Sequence, residues 1–200
     1  MPTFYHAPNS RSSTVAIAIE EMGLSTEIET KIVSIPRQDG SGGPDAANPH
    51  PESKVPALEV NGTLVTERAA ILALLSELYP EAPSAIPPGH ADRGPFLMWL
   101  AYYAGVVEPL IMGMVCEVAD KPIWITTYRD MPAMVARLES TLEGQDYLLA
   151  SGFSAADLIM ASPYQWNRDW LPKSPAIEAW FDRVNSRPAV QAIAARDNPA

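Results

Sequence analysis

Ala57-Leu58-Glu59-Val60 and Thr63-Leu64-Val65 flank the dipeptide Asn61-Gly62. Such a pair supplies the positive φ angles of a tight hairpin, so the two runs are expected to pair antiparallel. Asn61-Gly62-Thr63 also spells a glycosylation sequon; with no secretory signal in Met1-Pro2-Thr3-Phe4, the turn is the favoured reading. Upstream, residues 3–6 read as a strand that Ala7-Pro8-Asn9 ends. A helix follows, with Val15, Ala16, Ile19 and Met22 at helical spacing and Gly23 placed to cap it. Ile28, Thr30 and Ile32 then alternate with Glu27, Glu29 and Lys31, the period of a strand exposed on one side. Downstream, residues 67–79 carry Ala70, Leu74, Leu75 and Leu78 at helical spacing, and Pro80 stops them. The order is βαβ followed by ββα. That is thioredoxin-like; a dinucleotide fold would continue with a third parallel strand.

Residues 81–91, with Pro83, Pro87, Pro88 and Gly89, read as a linker. Beyond them the spacing predicts helices over 95–118, 122–142, 155–166 and 176–184, with Pro188 able to start a short last one. The expected architecture is therefore α/β plus all-α: a thioredoxin-like domain over 1–80 and an all-helical domain over 92–200.

Composition narrows the partners. The 200 residues are 47% hydrophobic, enough for one sizeable core or two small ones. The 14 Lys and Arg against 24 Asp and Glu give a formal charge of -10, which repels nucleic acid and acidic membrane surfaces. Small molecules or a second copy of the chain are the expected partners. One cysteine, Cys116, cannot make an intramolecular disulfide or a cysteine metal cluster, and His6, His50 and His90 lack ligand spacing, so no metal is expected. A cytoplasmic setting fits. No apolar run of about 18 residues is uninterrupted, because Gly105, Glu108 and Pro109 break the longest candidate; a membrane span is not expected.

Four stretches carry a resemblance. They are Phe4-Tyr5-His6-Ala7-Pro8-Asn9-Ser10-Arg11-Ser12-Ser13 with its helix ending Glu20-Glu21-Met22-Gly23-Leu24; Lys54-Val55-Pro56-Ala57-Leu58; Leu64-Val65-Thr66-Glu67-Arg68-Ala69-Ala70-Ile71; and Tyr147-Leu148-Leu149 leading to Phe153-Ser154-Ala155-Ala156-Asp157. In order and spacing, over nearly the whole chain, they resemble the cytosolic-type glutathione transferases of the bacterial kind. The resemblance implies a dimer that stabilises a glutathione thiolate, with glutathione as co-substrate, for attack on an apolar electrophile held between the domains. Glutathione-dependent peroxide or disulfide reduction, or a non-catalytic binding role, would use the same scaffold.

The candidate residues follow. A cis bond at Val55-Pro56 would leave the Val55 N–H and C=O free at a strand end to pair with an extended peptide. In the family they clasp the cysteinyl part of glutathione, with Lys54 placed to meet its glycine carboxylate. Thr66 is positioned to cap the helix beginning near Glu67, whose first-turn N–H groups attract an anion. Glu67 is assigned to the γ-glutamyl ammonium. Arg68 stands where the family commonly has Ser or Thr; it would contact the γ-glutamyl carboxylate bidentately or point outward. A thiolate needs a hydrogen-bond donor or a helix N-terminus. Tyr5 lies too early, inside the strand, so the donor is expected in residues 9–13. Ser10 matches the bacterial Ser-Arg-Ser pattern, while a shift of one or two residues would favour Asn9 or Ser12. Ser154-Ala155-Ala156-Asp157 has the shape of a structural capping box. Tyr102, Tyr103, Met112, Met114 and Trp124 are expected to be mostly core, with a few lining the apolar pocket.

Overall fold

A computed structural model describes residues 1–198, which form two compact units. The first contains residues 1–87 and the last helix; the second contains residues 88–187.

In the first unit, β1 (Thr3–His6), α1 (Ser13–Glu21), β2 (Glu29–Ile32), β3 (Ala57–Val60), β4 (Thr63–Thr66) and α2 (Arg68–Leu78) follow in thioredoxin-like order. The four-stranded sheet runs β2-β1-β3-β4. β1 and β2 are parallel, while β3 is antiparallel to both β1 and β4. The hairpin forms as the sequence requires, with Val60 paired to Thr63 and Asn61 and Gly62 at φ of 51° and 75°. Tyr5, Ala7, Val33, Val55 and Ala57 pack into one small cluster.

Two local expectations fail. β2, one of the two edge strands, is exposed at all four positions, with Ile32 at 60%; the buried apolar anchors Ile28 and Val33 flank it instead. α2 buries Arg68, Ile71, Leu72 and Leu75, while Ala70 is exposed and Leu78 stays 37% exposed.

The second unit is helical: α3 (Arg93–Tyr102), α4 (Glu108–Val115), α5 (Pro122–Tyr128), α6 (Met131–Leu142), α7 (Ala155–Trp166) and α8 (Pro175–Asn185). A π-helical turn over Tyr103–Val107 joins α3 to α4, so residues 93–115 run as one helix, long and apolar enough by length and composition to cross a membrane. Its Phe96, Trp99, Tyr103, Val107 and Leu110 are buried. Gly105, Glu108 and Pro109 therefore do not break it. The Glu108 N–H bonds back to the Tyr103 carbonyl, five residues earlier, so the ladder has already shifted where Pro109 has no N–H to give.

The expected single helix over 122–142 is two, parted where Arg129 takes φ of 80° and the Asp130 carboxylate caps the next helix by accepting from the Ala133 N–H at 2.8 Å. Of Tyr102, Tyr103, Met112, Met114 and Trp124, Tyr103 alone is fully buried, and Met112 is 37% exposed. Ser154 and Asp157 do form the capping box of α7.

α9 (Pro188–Asp197) corrects the expected boundary. The sequence places it in a helical domain over 92–200, but it packs on α1 in the first unit. Ala189, Val190 and Ile193 are buried, and the Asp197 carboxylate binds the loop after β1.

Candidate functional site

Strand register brings the distant candidates to one end of the sheet. Tyr5 pairs with Ala57, and Ala57 pairs with Thr66. One residue further along each strand stand His6, Pro56 and Glu67. Strands lie about 4.8 Å apart, so the loop after β1, Val55-Pro56 and Glu67 share an edge roughly 10 Å wide. α2 begins there one residue after β4, and α1 follows β1 after the loop of residues 7–12. The positive ends of both helix dipoles make it favourable for an anion.

The Val55-Pro56 bond is cis, as expected, and β3 begins only at Ala57, so Val55 stands outside the ladder. Lys54 is exposed, and its carbonyl accepts from Asn48 Nδ2 at 3.0 Å. Glu67 is exposed at φ 70°, ψ 125° and occupies the N-cap of α2 without a side-chain cap bond. Thr66 does not cap that helix, because its pairing with Ala57 keeps it in the strand. Arg68 does not point outward. It is 7% exposed and turns inward, Nη1 reaching Thr14 Oγ1 of α1 at 3.4 Å.

The loop after β1 separates the three donor candidates. Ser12 is fully buried, and its hydroxyl faces His6 Nδ1 at 2.7 Å, Ser10 Oγ at 2.8 Å, the Ala7 N–H at 3.1 Å and the Ala7 carbonyl at 3.2 Å. It is committed inward and does not cap α1. Asn9 sits at φ of 53° and commits its Nδ2 donors to the Asp197 carbonyl at 2.9 Å and Asn198 Oδ1 at 3.0 Å. Ser10 is half-buried; its Oγ accepts from the Ser12 N–H at 3.1 Å and meets Ser12 Oγ. Arg37 holds the loop from outside, donating to the Pro8 and Asn9 carbonyls at 2.6 and 3.1 Å. Tyr5 donates to Glu59 across the sheet at 3.1 Å, away from this loop.

Two residues were invisible to sequence patterns. His6 is buried and stacks on Phe4 with ring centroids 5.7 Å apart. Its Nε2 meets Asp197 Oδ1 at 3.0 Å. Asp197 Oδ2 accepts from the Asn9 N–H at 3.1 Å and the Ser13 hydroxyl at 2.5 Å. No local motif links residues 6 and 197. His50 and His90 serve turns, each accepting a backbone N–H two residues on. Among the described residues no group of three or more His, Cys, Asp or Glu is placed to hold a metal.

Comparison with known proteins bears on the family and the fold. Residues 4–83 match the family model for the glutathione S-transferase N-terminal domain, and residues 127–188 match that for the C-terminal domain. Protein LigF of a Sphingobium species is 27% identical over 189 residues, covering 71% of this chain and 74% of its own. A glutathione transferase crystal structure from Methylococcus capsulatus superposes with a TM-score of 0.78 and 28% identity over 98% of both chains. A sphingomonad glutathione S-transferase complexed with glutathione gives a TM-score of 0.74 at 23% identity, covering 99% of this chain and 100% of the other.

Proposed function

The chain belongs to the glutathione S-transferase family, and from that premise we infer that it binds glutathione across the polar end of its sheet and activates the thiol for attack on an apolar electrophile. The observation that carries this is the strand register, which brings the start of the loop after β1, Val55-Pro56 and Glu67 to one edge, where α2 also begins. The donor set suits the tripeptide. The backbone of Val55 pairs with the cysteinyl unit, Glu67 takes the ammonium, the first turn of α2 faces the γ-glutamyl carboxylate, and Lys54 meets the glycine carboxylate. Ser10 is the hydroxyl left to face the sulfur, since Ser12 is committed inward and Asn9 to the end of α9. Arg68, buried against Thr14, supports α2 from behind. The first unit holds glutathione and the helical unit selects the electrophile; a homodimer in the cytoplasm completes the proposal.

A second reading, a protein that binds glutathione without activating it, is favoured by one observation: position 68 carries a buried Arg where a hydroxyl is usual. Calorimetry and turnover separate the two. Glu67→Gln and Lys54→Ala should each weaken glutathione binding about tenfold to a hundredfold, the range for losing a charged hydrogen bond. Ser10→Ala should raise the thiol midpoint of bound glutathione by about one to two units. With a panel of electrophiles and peroxides it should slow turnover more than it weakens binding. A parent protein that does not bind glutathione sinks both readings; one that binds it with an unperturbed thiol supports the second.

A further inference from the structure

We propose that Ser10, Ser12, His6 and Asp197 form a proton relay that carries the thiol proton of bound glutathione to a buried imidazole, with His6 and Asp197 acting as positioning residues behind Ser10. The proposal rests on the glutathione reading above.

The contacts form one chain. Ser10 Oγ lies 2.8 Å from Ser12 Oγ, Ser12 Oγ lies 2.7 Å from His6 Nδ1, and His6 Nε2 lies 3.0 Å from Asp197 Oδ1. His6, Ser12 and Asp197 are 3%, 0% and 6% exposed, whereas Ser10 is half-buried, so the chain opens at Ser10 alone.

Hydrogen counting gives it a direction. A carboxylate only accepts, so His6 Nε2 carries a hydrogen toward Asp197. In the neutral ring Nδ1 is then an acceptor, and it takes the single hydrogen of Ser12. The two lone pairs of Ser12 receive the Ala7 N–H and the Ser10 hydroxyl. Ser10 is thereby turned inward and offers its oxygen to the site, where a thiol S–H can donate.

Transfer runs along these same bonds. The sulfur proton passes to Ser10 Oγ, the Ser10 proton to Ser12 Oγ, and the Ser12 proton to His6 Nδ1. Each S–H or O–H bond broken is matched by an O–H or N–H bond formed. The products are a thiolate and an imidazolium paired with Asp197. Every hydrogen bond is now reversed: Nδ1–H donates to Ser12, Ser12 donates to Ser10, and Ser10 donates to the thiolate. Within the relay each hydroxyl donates once and accepts in both states, Ser10 Oγ also taking the Ser12 N–H, while the Ala7 carbonyl 3.2 Å from Ser12 Oγ stays beside the chain without its hydrogen. Such matching of the hydroxyls is the expected condition for a buried polar chain with two protonation patterns.

Charged groups on the surrounding elements are Asp197 and Arg196 of α9, Arg11 of the loop after β1, Glu20 and Glu21 of α1, Lys31 and Glu29 of β2, Glu59 of β3, and Arg37 beyond β2. Arg196 is engaged by Glu20 at 3.5 Å, Lys31 by Glu29 at 3.8 Å, and Arg37 by the loop carbonyls. Among the described residues, Asp197 is the charged group in contact with the ring.

Proton bookkeeping on glutathione binding distinguishes this relay from a structural network. Calorimetry in two buffers of different ionisation enthalpy counts protons released, and ultraviolet absorbance counts thiolate formed. The parent should form thiolate with almost no proton release. His6→Gln keeps a donor toward Asp197 and an acceptor toward Ser12 but cannot hold the proton. It should release about one proton per thiolate and raise the thiol midpoint by about one unit, a tenfold loss of thiolate at fixed pH. The parent alone gives a check that needs no variant: nitrogen NMR should show His6 passing from the Nε2–H neutral form to the doubly protonated form when glutathione is added at constant pH. Equal proton counts in parent and variant, or a His6 ring unchanged by glutathione, overturn the relay. If Ser10→Ala also leaves the thiol midpoint in place, Ser10 activation falls with it. A perturbed Ser10→Ala beside an unperturbed His6→Gln removes the relay alone.

Discussion

Asp157 in the helical unit and Asp197 in the thioredoxin-like unit are both buried, at 0% and 6% exposure, and both carboxylates are surrounded by donors. They differ in what those donors are. Asp157 accepts from the Leu148 N–H, the Ser154 N–H and the Trp180 indole, each at 2.9 Å. None of these gives up its hydrogen near neutral pH, so the cluster is a fixed strut joining α7, α8 and the loop before them. Asp197 accepts from an imidazole, a hydroxyl and one backbone N–H, and its imidazole continues through two hydroxyls to a half-open surface. Fixed N–H donors make a buried carboxylate a fastener; exchangeable donors with one open end let it hold a proton's destination.

The largest expected effect breaks the fastener. Asp157→Ala strands three buried donors at about 1–3 kcal/mol each, partly offset by relaxation, so a loss of about 4 kcal/mol is expected in urea unfolding. A loss below about 1 kcal/mol would show that Asp157 does not hold α7 and α8 together.

Next comes pH. Burial pushes the Asp157 carboxyl up to about 6 from its ordinary 3.8, against the pull of the Trp180, Leu148 and Ser154 donors. The folded state then binds the proton more tightly than the unfolded one. Its contribution is fully present below about pH 3.8 and is lost as pH rises through about 6. Two units correspond to about 3 kcal/mol. The stability difference between the parent and Asp157→Asn, which cannot titrate, should change by about that amount between about pH 4 and pH 7. A flat difference would show that the three donors keep Asp157 ionised throughout.

The same comparison explains what the sequence could reveal. Ser154 and Asp157 lie three residues apart, so their capping box is a local pattern; Asn61-Gly62 likewise announces its hairpin. Val55, Glu67 and the loop after β1 were legible through turn chemistry and family resemblance. His6 and Asp197 are 191 residues apart, and only the docking of α9 on α1 joins them. Capping preference points Ser12 at its own helix, but a buried imidazole 2.7 Å away takes its hydroxyl instead. β2 misled because alternation marks a half-buried strand, whereas all four of its residues are exposed and the buried anchors Ile28 and Val33 fall just outside it.

A smaller effect is expected at Asp197 itself. Asp197→Ala also strands donors, but Asn9 is exposed and Ser13 partly so, so water can replace some of the lost bonds. A loss of about 2 kcal/mol in urea unfolding is expected, roughly half that of Asp157→Ala. Equal losses would erase the distinction between a closed cluster and one that opens toward the site.

The smallest expected effect lies one residue away. Arg196 reaches Glu20 Oε2 of α1 at 3.5 Å, and the two side chains are 60% and 32% exposed. Like Asp197, it joins α9 to α1, so by position alone the two would be equal fasteners. Solvent decides otherwise. An exposed pair gains little Coulomb energy in water, spends side-chain entropy to hold one geometry, and is screened by salt. Glu20 also keeps a second partner, accepting from Ser25 Oγ at 2.8 Å, and would remain satisfied without the arginine. The last-turn position adds a weak attraction between Arg196 and the helix dipole, itself reduced by exposure. Arg196→Ala should therefore cost less than about 0.5 kcal/mol, shrinking further in high salt, and leave the thiol midpoint of bound glutathione unchanged. A loss near about 2 kcal/mol that persists in high salt would mean that surface ion pairing, rather than the buried Asp197 cluster, fastens α9, and the expected ranking of the two residues would reverse.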